Sequence, residues 1–148
     1  MHRRHPGLLP HARAPRARAD PITSEPTALA LIGLVASVRP AHETVAVLLD
    51  HQRRGLDIVS VANTFSPDSV LHVADHVVES AYLRDEVAGA VIASFRPGAG
   101  DELDDLERWF TIDEQLGIAG VELVEWFVIG DGVSCPRSLV GEPARWTA

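Results

Sequence analysis

Apolar residues fall into runs whose period changes along the chain, and each change marks an element. Ala28 to Val38 is an apolar run of 11 residues. A bilayer span needs about 20, so the run predicts a buried helix. Ser24 is placed to cap it, with Pro26 in the first turn. Arg39-Pro40 stops it, because the residue before a proline avoids helical backbone. Thr44 to Leu49 is β-rich and continuously apolar, the pattern of a central strand buried on both faces. Arg54-Gly55 turns the chain into a second strand, Leu56 to Ala62, so residues 43–62 predict a hairpin. From Ser66 and Pro67 the period becomes helical: Val70, Leu71, Val73, Ala74, Val77, Val78, Ala81 and Tyr82 share one face.

Val87 to Phe95 predicts a third strand, ending in the turn-forming stretch Arg96-Pro97-Gly98-Ala99-Gly100. Asp101 to Gly117 predicts a helix whose first turns carry carboxylates, where the helix dipole favours them. Val121 to Ile129 predicts a strand. Gly130-Asp131-Gly132 then turns into a final strand over Val133 to Val140. The order α-β-β-α-β-α-β-β predicts one α/β domain: a mixed β-sheet with flanking helices.

Charge divides the chain in two. Residues 1–26 carry five Arg against Asp20 and Glu25, a net of +3; the remaining 122 residues carry −11. Pro6, Pro10, Pro15 and Pro21 interrupt any helix in the basic part. Residues 1–23 therefore read as a disordered Arg/Pro-rich arm ahead of a domain spanning 24–148. No apolar stretch follows Arg3 and Arg4 as a secretory signal requires, and the prolines spoil the amphipathic helix of a transit peptide. The acidic body repels phosphate, which argues against nucleic acid as its partner. With Cys135 alone there is no internal disulfide, which fits a reducing cytoplasm. No membrane partner is expected, and a homo-oligomer is compatible with the sequence.

Several residues invite chemistry on spacing. His72 and His76 lie one helical turn apart with Asp75 and Glu79 nearby, but opposite the apolar stripe and without an HExxH signature. A solvated face is the simpler reading. Asp101, Glu102, Asp104, Asp105 and Glu107 offer oxygen ligands for a hard cation without the loop spacing of a calcium site. Cys135 sits beside Arg137 yet no His follows it, and neither Ser134 nor Ser138 lies in a Gly-x-Ser-x-Gly motif. Gly98-Ala99-Gly100 precedes a helix but lacks the Lys of a phosphate loop.

One set of cues is ordered. Glu43 opens the first strand, and Ser94-Phe95-Arg96-Pro97-Gly98 closes the third. Asp104-Asp105-Leu106-Glu107 and Thr111 follow, then Leu116-Gly117-Ile118, Glu125-Trp126, Ile129-Gly130 and Ser134 or Ser138. From Glu43 to about Gly141 this resembles the RadC-like branch of the JAB/MPN metalloprotease-like domains, with their cytidine-deaminase-like architecture. The resemblance implies a zinc ion held by two His and one Asp, with an upstream Glu handling protons. Glu43 keeps the Glu position, whereas Ser94 and Arg96 stand at the two His positions and Glu107 at the Asp position. Ser is a poor zinc ligand and a permanently cationic Arg repels the ion, so no metal or other cofactor is expected. Arg96 is expected to take the metal's place and to pair with Glu43 or Glu107. The resemblance thus implies a non-catalytic binding or interaction module with a protein partner or small ligand; a DNA-repair role does not carry over with it. The alternative is a divergent metal-dependent hydrolase using Glu43 and the Asp101–Glu107 carboxylates. Asp104 and Trp126 are the candidate interaction residues. Trp126 has a second reading, favoured here, as an apolar plug filling the emptied pocket.

Overall fold

A computed structural model describes residues 14–36 and 41–146. Its elements are α1 (Glu25–Val35), β1 (Glu43–Leu49), β2 (Gly55–Ala62), α2 (Ser69–Leu83), β3 (Gly89–Phe95), α3 (Asp105–Ile118), β4 (Glu122–Ile129), β5 (Val133–Ser134) and α4 (Pro136–Leu139). The sheet order is β2-β1-β3-β4-β5. β1 runs antiparallel to β2 and β3, β3 parallel to β4, and β4 antiparallel to β5. α3 is the crossover that a parallel β3–β4 pair needs. The expected single α/β domain with a mixed sheet is what forms.

Alternation along the strands splits the core into two layers. Ala46, Leu48, Ala90, Ile92, Trp126 and Val128 face α2 and α3, which contribute Val70, Val73, Val77, Trp109, Ile112 and Leu116. Val45, Val47, Leu49, Val91, Ala93, Phe95 and Phe127 face α1, through Ala28 and Ile32. β1 and β3 are buried at every position, as continuous apolar runs require. Ile112 and Leu116, fully buried, stabilise the α3 layer by about 1.5–3 kcal/mol each. No helix among the described residues is long and apolar enough to cross a membrane.

Four expectations change. The last segment is not a strand to Val140: β5 stops at Ser134 and Pro136 opens α4. Proline's fixed φ and missing N–H suit a helix start better than a strand interior. α3 begins at Asp105, four residues later than the acidic run suggested, because the Asp105 carboxylate turns inward and accepts the Glu102 amide at 2.7 Å. α2 starts at Ser69, with Ser66 Oγ accepting the Asp68 amide at 3.2 Å in the turn before it. Packing also begins ahead of Ser24. Ile22 is 1% exposed, its amide donates to Arg53 O at 2.7 Å, and Arg18 N donates to Gly55 O at 2.9 Å. The first helix ends at Val35, with Ala36 N donating to Ile32 O at 2.9 Å; residues 1–13 of the expected arm and the expected Arg39-Pro40 stop lie outside the described residues.

Candidate functional site: a buried arginine network at the end of β3

β3 and β4 are parallel, so their carboxyl ends open at the same edge of the domain, where α/β sheets present ligand crevices. Ser94 stands opposite Val128 in the register, two residues along β4 from Trp126 and on the same α2–α3 face of the sheet. Trp126 is fully buried, and its Nε1 donates to Ser94 Oγ at 3.0 Å. Just beyond the strand, Arg96 is 6% exposed and its guanidinium stands 6.0 Å from the Trp126 ring centre.

The partner of Arg96 is Asp105. Nη1 donates to Oδ2 at 2.7 Å and Nη2 to Oδ1 at 2.9 Å, a two-pronged pair whose planar geometry Lys does not reproduce. Arg96 Nη1 also donates to Gly100 O at 3.1 Å, tying down the loop. Arg108 Nη1 reaches Asp105 Oδ1 at 2.9 Å while its Nε holds Asp68 Oδ1 at 2.8 Å, linking α3 to the head of α2. Burial pushes the Asp105 carboxyl up, but hydrogen bonds from Arg96, the Glu102 amide and Arg108, with the Arg96 charge, outweigh it and hold the group below the usual carboxylate range.

Backbone geometry fixes this arrangement. Ala99 N donates to Arg96 O at 3.0 Å around a turn with Pro97 second and Gly98 third, Gly98 at φ +73° as a type II turn demands. Arg96 N donates to Ile129 O at 2.8 Å, which draws the loop onto Gly130. A Cβ at Gly130 would overlap the Ala99 carbonyl oxygen and stand 2.7 Å from its carbon. Gly130→Ala is therefore expected to cost about 1–3 kcal/mol in urea unfolding, the range for forced overpacking; an unchanged midpoint would show that the loop gives way freely.

Of the residues singled out from sequence, Ser94, Arg96 and Trp126 come together. Glu43 and Glu107 do not join them. Glu43 stands opposite Phe95 in the register and so shares the α1 face of the sheet, away from Ser94. Glu107 is exposed on α3, beside Asp104, in an open groove that also includes Asp68, Leu71 and Phe110. The expected pairing of Arg96 with Glu43 or Glu107 is thus corrected to Asp105: it is the inward position of the first helical turn. Trp126, with no exposed surface, packs within the core and is not a surface anchor. In the sequence Asp105 is one of five candidate oxygen ligands and Arg108 is not singled out, because the acidic run hides one member that differs in direction. The signal was Arg108 at i+3, which an inward Asp105 can reach.

A zinc ion does not fit these side chains. Ser94 Oγ already accepts from Trp126, Arg96 is permanently cationic, and both Asp105 oxygens are occupied by N–H donors. Among the described residues, no group of three His, Cys, Asp or Glu side chains is placed to hold a metal ion. The Asp101–Glu107 carboxylates diverge: Asp105 is buried, whereas Asp101, Glu102, Asp104 and Glu107 are exposed. His72 and His76 are exposed on α2.

A second pair, with Glu125 buried and Arg137 half-buried, lies on the α1 side. Arg137 Nε donates to Glu125 Oε2 at 3.0 Å, and the Trp126 amide reaches Glu125 Oε1 at 3.3 Å. Burial raises the Glu125 carboxyl more than these donors lower it. The Cys135 thiol is pushed up to about 12, by burial first and then by the Glu125 and Glu25 charges, against a smaller pull from Arg137. A thiol held neutral is not a nucleophile. Iodoacetamide at pH 8 is expected to label the folded chain on the order of a thousandfold more slowly than the urea-unfolded chain, from the thiolate fractions alone. Comparable rates would overturn this assignment.

No family model matches the chain, and no curated protein matches it.

Proposed function

We propose that this chain is a non-catalytic binding module of the JAB/MPN type, its metal-ligand positions taken over by an arginine-centred ion pair. The supporting observation is Arg96: at the second ligand position of the resemblance stands a buried guanidinium with its own carboxylate, Asp105, supplied by α3. Ser94, at the first, serves as acceptor for the plug Trp126. The same site that would activate water is thereby turned into a rigid clamp on the loop 96–104. A module of this kind acts by presenting surface to a protein or small ligand. Its acidic charge disfavours nucleic acid, and its lone Cys suits the cytoplasm.

The reading is tested by reversing the replacement. Ser94→His with Arg96→His frees Asp105 and places two imidazoles and a carboxylate at the end of β3, the donor set of an open zinc site. Zinc is expected to bind this double variant at one ion per chain and to raise its melting temperature while leaving the parent unmoved. A double variant that folds yet takes up no zinc would contradict a site derived from a metal centre.

A further inference from the structure

We infer that residues 137–146 are a strap that closes the outer edge of β4 to strand addition and opens ahead of the rest of the fold. Three anchors hold it, and each carries a weakness that contact with water relieves.

The strap answers a gap in the sheet. β5 pairs with β4 only at Val128 and Ile129, so among the described residues β4 has no strand beside Leu123 to Phe127 on that edge. The stretch Leu123-Val124-Glu125-Trp126-Phe127 is rich in strand-forming residues, and an uncovered edge of that kind accepts another extended segment. Side chains cover it instead. Arg145 Nη1 donates to Leu123 O at 3.0 Å and to Asp113 Oδ1 on α3 at 2.7 Å, with its guanidinium 5.1 Å from the Trp109 ring centre. Trp146 stacks on Phe127, ring centres 6.3 Å apart, and packs against the α1 layer. Consecutive residues thus straddle the edge, Arg145 on the α3 side and Trp146 on the α1 side. Arg137 ties down the near end: Nε donates to Glu125 Oε2 at 3.0 Å and Nη1 to Glu142 O at 2.6 Å.

None of these anchors is tight. The Arg145 and Asp113 side chains are 26% and 33% exposed, and part-exposed ion pairs contribute little. Trp146 Nε1 is buried without a hydrogen-bond partner among the described residues, and lifting the ring off Phe127 hydrates it. Burial holds the Glu125 carboxyl above the usual range in spite of Arg137, so its charged form gains by reaching water. The Arg96–Asp105 network has no such slack, because both carboxylate oxygens are met by donors out of contact with solvent. Local opening therefore starts at the strap, and what it uncovers is the edge of β4.

Trp109 and Trp126 are buried, so the fluorescence that acrylamide quenches in the folded chain reports Trp146. Arg145→Ser, which frees Leu123 O and Asp113, is expected to raise the quenching constant by about twofold or more with unchanged far-ultraviolet circular dichroism. In about 0.5 M salt, which screens the net charge of −8, Arg145→Ser with Trp146→Ser is expected to sediment as species heavier than the parent at equal concentration. Gly130→Ala, which strains the fold away from the strap, is expected to match the parent in both measurements. An unchanged quenching constant in Arg145→Ser would overturn the inference. So would a double variant that keeps the parent's mass, or equal association by Gly130→Ala, which would assign it to general unfolding.

Discussion

Asp105→Ala is expected to destabilise the fold by about 3–5 kcal/mol, the cost of leaving a buried charge without its partner. The substitution strands the Arg96 guanidinium, 6% exposed, and removes one of the two carboxylates that Arg108 holds by hydrogen bonds. It also uncaps the Glu102 amide at the entry to α3. Urea unfolding followed by circular dichroism measures the loss. Arg96→Met combined with Asp105→Leu is expected to recover most of it, since apolar isosteres of a buried pair are often neutral. A loss below about 1 kcal/mol for Asp105→Ala, the value of an exposed pair, would mean that the network is solvated and weak. The pair also sets acid behaviour. The Asp105 carboxyl is held below its ordinary range in the folded state, so its contribution is complete above the unfolded value and is lost as pH falls through the lowered folded one. The parent should therefore lose stability in acid more steeply than the Arg96→Met, Asp105→Leu variant. Glu125 acts with the opposite sign: its folded value is raised, so its charged form costs stability as pH rises through that value.

Trp126→Ala is expected to cost about 3–5 kcal/mol, since a large aromatic leaves a cavity that the surrounding strands only partly close. Trp126 is 0% exposed between Ile92 on β3 and the α2–α3 layer, and its ring lies beneath the Arg96 guanidinium. Trp126→Phe keeps most of that volume but leaves Ser94 Oγ without its donor, so a loss of about 1 kcal/mol is expected. The two variants separate volume from hydrogen bonding. A surface anchor would behave differently, with Trp126→Ala leaving the unfolding midpoint unmoved.

The elements were legible in the sequence wherever one term dominated. β1 and β3 read as continuous apolar runs because both faces are buried, and α2 read as a helix because its stripe holds a 3.6-residue period. Boundaries failed where a side chain's direction decided them. The acidic run after Gly100 looked like a helix start throughout, yet only Asp105 turns inward, and that turn sets the first residue of α3. Val133 to Val140 read as a strand on composition, but Pro136 has the φ of a helix start and no amide for a ladder.

The site was legible in part. Ser94, Arg96 and Trp126 were brought together by strand register, which period-2 alternation makes visible. The same alternation places Glu43 on the far face once the β1–β3 register is known, and sequence alone does not supply that register. Motif spacing points to Glu107, whereas the reach from α3 to the end of β3 belongs to Asp105.

The proposed function has a guanidinium and its carboxylate, Arg96 and Asp105, in the place of a zinc ion. Calorimetric titration of zinc into the full chain at neutral pH, run beside Ser94→Ala and Asp105→Asn, examines that site. No stoichiometric uptake that depends on either residue is expected. One zinc per chain, lost in both variants, would contradict it.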